Sequence, residues 1–126
     1  MKRTVTALCL AAAVGAACFG QTYYVSHSAE EAMACVKEID RLAESGQTDA
    51  AAEACERLEC DWHDKTPWLD ALLFHDYVDS VDVSLAKMRV QLQHGVLPLY
   101  HAESAQAKKG LASIKGSEYP LLENIL

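Results

Sequence analysis

No charged side chain occurs from Val5 to Val25, and this run follows directly on Lys2 and Arg3. About 20 residues of helix cross the hydrocarbon core of a bilayer, so the run fits a single membrane span. Lys2 and Arg3 then stay on the cytoplasmic side, and Tyr23 and Tyr24 take up the outer interface. The most apolar part, Val5 to Phe19, is shorter and also resembles an export signal. Cleavage after Gly20, with small Cys18 and Gly20 at the positions a signal peptidase inspects, would release a secreted domain. Lipidation at Cys18 would tether it, although Gly15 is a poor match where a larger aliphatic residue is usual. The reading adopted is an uncleaved signal anchor over residues 1–26. A domain over residues 27–126 follows it, with the chain single-pass in the cell membrane and its C-terminal part extracytoplasmic.

Charge agrees with export of that part. All 18 acidic residues lie beyond Val25 together with nine of the 11 basic ones, a net of −9. Nothing in such a segment holds it in the cytoplasm by the positive-inside rule. The acidic balance also argues against a nucleic-acid partner, because binding phosphate backbones needs a basic surface. Ala12, Ala16 and Gly20 recur every fourth residue, a spacing that lets two membrane helices approach closely and leaves a homo-oligomer open.

The domain reads as all-α. Ser28-Ala29-Glu30-Glu31 has the form of a capping box, and Met33, Val36, Ile39 and Leu42 or Ala43 follow at helical spacing until Gly46. Thr48-Asp49 opens a second helix with Ala51, Ala54 or Cys55, Leu58 and Trp62 on one face. Thr66-Pro67 has the form of a third start, with Pro at the first helical position. From there Ala71, Phe74, Val78, Val81, Leu85, Met88 and Leu92 step by three or four, which makes the third helix the longest and best defined. Gly95 and Pro98 interrupt it. A fourth helix presents Leu97, Tyr100, Ser104, Ala107, Leu111 and Ile114, and a short C-terminal helix or turn runs from Ser117 to Leu126. Short connections make neighbours antiparallel. The expectation is an antiparallel up-down helical bundle of about four helices plus that short one, after the membrane helix.

Three cysteines lie in the exported part, an odd number that cannot all pair within one molecule. Cys35 and Cys60 fall at about the same height on the first two bundle helices, which allows a disulfide between them. Cys55 shares a face with Leu58 and Trp62, where a buried and inert thiol is expected.

With the elements laid out, the chain resembles an uncharacterised family of short bacterial proteins classed only as a domain of unknown function. The features that carry the resemblance are Trp62, Trp68, His75-Asp76-Tyr77-Val78-Asp79, Ser84-Leu85-Ala86 and Leu122-Glu123-Asn124-Ile125. Tyr77 stands where the family pattern has a second acid, and Leu126 where it has a final aromatic. The resemblance implies an N-terminal membrane segment and a helical domain, and no activity.

Candidates for chemistry are few. His75 and Asp79 are four residues apart on one helix face, where the carboxylate can accept a proton from the imidazole. With Asp82, His63 or Asp76 nearby they could begin a metal site, but no established ligand spacing surrounds them, and no cofactor is expected. Trp62 and Trp68 flank the expected turn between the second and third helices, as core residues or as a binding hot spot. The apolar tail with Asn124 and Ile125 either packs back on the bundle or enters a groove on another protein. Charge is divided between a segment from Glu53 to Asp82, nine acids and two bases, and one from Val83 to Lys115, one acid and five bases. Acids near helix starts and bases near helix ends explain much of this; the rest offers an interaction surface with two poles. The expected function is a non-enzymatic, membrane-anchored module for protein interaction or scaffolding. The alternative is an extracytoplasmic metal- or small-ligand-binding domain using His75 and Asp79.

Overall fold

Alanine is the commonest of the first 20 residues, and it is the strongest helix former. In the computed structural model, which describes residues 1–72 and 75–117, a single helix α1 starts there and runs without a break over Lys2–Glu44. At 1.5 Å per residue it is about 65 Å long. Residues 1–20 are exposed throughout, and burial begins with Gln21 and Val25. The expected helix start at Ser28 is therefore corrected. A chain that is already helical continues at little cost, since nucleation and not propagation is the expensive step. Ser28 instead lies in the buried stripe of α1 with Val25, Ala29, Ala32, Val36, Ile39 and Ala43. Glu31, the other half of the supposed box, pairs with Lys65 at 3.0 Å.

Gly46 ends α1 with φ +80. Its N–H donates to Ala43 O at 3.2 Å and that of Gln47 to Leu42 O at 2.9 Å, the two bonds of a Schellman motif. The turn after Gln93 repeats this arrangement. Gly95 has φ +70, and Gly95 and Val96 donate to Leu92 O and Gln91 O. Both expected stops hold because only glycine takes up the left-handed conformation without strain.

Helix α2 spans Thr48–Leu72, α3 His75–Gln93 and α4 Leu97–Ser117. Pro67 lies inside α2, so the predicted start of the third helix at Thr66-Pro67 is overturned. Trp62 and Trp68 both belong to α2 rather than flanking a turn, and α3 is the shortest of the four helices rather than the longest. The proline forfeits one backbone hydrogen bond, but Leu69 beyond it is fully buried. Keeping that residue in the core favours continuing the helix. Thr66, just before the proline, turns its hydroxyl back onto Trp62 O at 3.0 Å.

Four antiparallel helices close into a bundle in which α1 and α3 each pack against α2 and α4. The stripes expected for the third and fourth helices form the core: Val78, Val81, Leu85, Met88 and Leu92 meet Tyr100, Ala107, Leu111 and Ile114. Each of the four seams also carries an ion pair between helices. Lys65 meets Glu31 across α1 and α2, Arg89 meets Glu59 across α2 and α3, and Lys87 meets Glu103 across α3 and α4. Lys108 to Asp40 and Lys115 to Glu30 close α4 onto α1. Part of the charge division seen along the sequence is thus spent across these seams. The expected C-terminal helix lies outside the described residues.

Candidate functional site

Trp62, the first residue singled out, is 1% exposed. Its indole N–H donates to Val78 O at 3.3 Å, so the ring is a core residue that fixes α2 against the first turns of α3. Trp68, two turns further on, is 68% exposed. The two tryptophans therefore part company: Trp62 is unavailable to a partner and Trp68 is open to one. Asp79 is exposed and lines a shallow groove between α3 and α4 with Ser80, Val83, Lys87, Glu103 and Gln106. His75 is the first residue of α3, and its side chain lies outside the described residues, as do Asn124 and Ile125. Among the described residues no group of three or more His, Cys, Asp or Glu side chains is gathered as a metal would require.

The cysteines divide by environment. Cys35 and Cys60 are exposed free thiols. Cys55 is buried, its Sγ directed at Leu85 O at 3.5 Å. Burial first, then the Glu59 carboxylate, pushes its thiol up to about 12. At neutral pH a thiol in that setting is overwhelmingly protonated, so it is neither nucleophile nor metal ligand.

Acidic side chains from α2 and α3 line one open cleft: Glu56, Glu59, Asp64 and Asp82, with Cys60 and His63 on the wall. Arg89 is the cation in it, holding Glu59 at 2.6 Å. This is where the acid-rich segment Glu53–Asp82 becomes a surface.

One polar cluster had no advance signal. Asp40 of α1 accepts hydrogen bonds from Tyr100 Oη and Ser104 Oγ, both at 2.6 Å, and from Lys108 Nζ at 2.7 Å. The three donors step by four along α4 and so stand in a row. Tyr100 and Ser104 are buried. Burial works against ionising Asp40, yet Lys108, Ser104 and Tyr100 together outweigh it and hold the carboxyl below its ordinary range. Burial also pushes the Tyr100 phenol far up, and its bond to Asp40 adds to this. The arrangement commits the carboxylate to three of the protein's own donors, all on α4, so its work is to clamp α1 to α4. The spacing of Tyr100 and Ser104 was visible in the sequence, but their partner sixty positions away was not.

Among the described residues of the pattern noted above, Trp62, Val78, Ser84 and Leu85 are buried, whereas Trp68, Asp76, Tyr77 and Asp79 are exposed.

Searches of curated proteins and of solved structures found no match to the chain. A family model described as a domain of unknown function, DUF4363, matches residues 19–125. It begins where α1 leaves its wholly exposed stretch and takes in all four bundle helices. By that match the chain belongs to the DUF4363 family.

Proposed function

We propose that this protein is a non-enzymatic interaction or scaffolding module, anchored by the first half of α1 and standing at the outer face of a bacterial membrane. The observation that carries the reading is the continuity of α1. Its apolar first half is long enough to span a bilayer and none of it is buried, while its second half is one wall of the bundle. A rigid helix of this kind sets the domain at a fixed distance and orientation above the membrane.

The exposed run passes straight into the domain at Gln21, whose side-chain amide donates to Leu72 O at 3.4 Å. Among the described residues, the acidic cleft at Glu56, Asp64 and Asp82 is a surface open to a protein partner.

Two measurements on the full-length protein test this reading. Alkaline carbonate washing of membranes should leave it in the pellet at its uncleaved mass. In-cell cross-linking followed by mass spectrometry should recover one dominant partner, depleted by Glu56→Lys with Asp64→Lys. Release into the wash sinks the anchor. Retention with no partner, or with a partner indifferent to those changes, sinks the interaction role.

A further inference from the structure

Large aromatic side chains in water are unfavourable, and in membrane proteins Trp and Tyr gather at the level of the lipid headgroups. Three of the exposed large apolar side chains lie at one end of this bundle. Tyr23 on α1 is 63% exposed, Trp68 on α2 is 68% and Tyr77 on α3 is 39%. Tyr24 stands beside Tyr23 and is also partly exposed. This is the end at which the apolar half of α1 leaves the bundle.

Their heights can be compared because α1 and α2 are antiparallel and joined at two points. Lys65 meets Glu31, and Leu72 O meets the side chain of Gln21. Between these fixed pairs Trp68 stands opposite the stretch of α1 around Ser26. That is two or three residues from Tyr23 and Tyr24, roughly 3–5 Å along the axis. Val5 to Tyr24 is itself about the length of helix that crosses the hydrocarbon core. Tyr23, Tyr24 and Trp68 therefore fall within one headgroup layer.

We propose that the α2–α3 end of the bundle rests on the bilayer that holds α1, with Trp68 and Tyr77 seated among the headgroups beside Tyr23 and Tyr24. The proposal rests on the anchored reading of α1 given above. The surface it fits is zwitterionic, because exposed Asp64, one turn before Trp68 on α2, and exposed Asp76 beside Tyr77 offer anionic lipid no attraction. Its consequence is that the domain is held at two places, by the span and by this foot, and does not swing freely above the membrane.

The test uses the full chain reconstituted into phosphatidylcholine vesicles, with part of the lipid brominated either just below the headgroup or deep in the acyl chain. Flotation first establishes that the protein is vesicle-bound. Emission of wild type is then compared with that of Trp68→Phe, which leaves Trp62 as the remaining emitter. The Trp68 contribution, taken as the difference, should fall at least about twofold with the shallow quencher and less with the deep one. The buried Trp62 should change little with either. Trp62→Phe gives the same contrast directly if it folds. Flotation with equal quenching of the two tryptophans overturns the proposal alone. Failure to float overturns the anchored reading and the proposal with it.

Discussion

Tyr100 donates its phenolic proton to Asp40, 2.6 Å away and sixty positions earlier in the chain. Ser104 and Lys108 reach the same carboxylate from the next two turns. Hydrogen bonds to a charged group contribute about 1.5–3 kcal/mol each in the most favourable cases, and removing the acceptor strands buried donors. Asp40→Ala should lower stability by roughly 2–4 kcal/mol, read from chemical denaturation followed by circular dichroism.

The same cluster sets a pH dependence. The Asp40 carboxyl is held below its ordinary range in the folded protein, so the unfolded chain binds its proton more readily. Its contribution is fully present above the unfolded value, about 4, and is lost as pH falls through the lower folded value. Melting temperature should therefore drop between about pH 5 and pH 3 in wild type, and the drop should be smaller in Asp40→Asn. An equal drop in both would show that other carboxylates dominate acid unfolding.

Trp62 and Trp68 should answer differently to truncation. Trp62→Ala opens a space in the core and leaves its site at Val78 O empty, at a cost of about 3–5 kcal/mol. Trp68→Ala changes an exposed position and should stay within about 0.5 kcal/mol in detergent, where no bilayer competes. Thermal melts of the two variants side by side make the comparison.

At Gly110 α4 packs tightly against α3. A Cβ built there would lie 2.9 Å from Val81 Cγ2, and Val81 is fully buried and stiff at its branched carbon. Alanine would gain about 1 kcal/mol of helix propensity. Overpacking costs about 1–3 kcal/mol, so Gly110→Ala should be neutral to destabilising by about 2. A rise in melting temperature would mean that the two helices part easily.

Pro67 sits on the exposed side of α2 and lacks the N–H that would close a turn onto His63. Pro67→Ala restores the bond and should stabilise the protein by about 1–3 kcal/mol. A loss of stability instead would show that a bend in α2 is needed to bring Leu69 into the core.

The thiols give a chemical readout of burial. Maleimide applied to washed membranes at pH 7 without reductant should label Cys35 and Cys60, both exposed and free, and spare Cys55. Burial, then Asp61 and Glu31, pushes the Cys35 thiol up, which slows its reaction. Labelling of both only after reduction would establish the disulfide between them.

The sequence by itself determined the helical class, the apolar stripes of α3 and α4, the stops at Gly46 and Gly95, and the apolar run at the start. These are properties of local spacing and of glycine's conformational freedom, and they survive in any compact arrangement. Tertiary structure decided where helices begin. Ser28 and Thr66-Pro67 both carry start signals that were overridden, because a chain already helical and burying Val25 or Leu69 gains more by continuing than by capping. It also decided which of two tryptophans is core and which is surface. Trp62 and Trp68 differ by six residues, enough to turn a helix side chain from the bundle interior to its outside once Pro67 no longer ends the helix. The Asp40 clamp was decided in space alone. Its donors lie on α4 and its acceptor on α1, and no local periodicity relates a carboxylate to a hydroxyl sixty residues away.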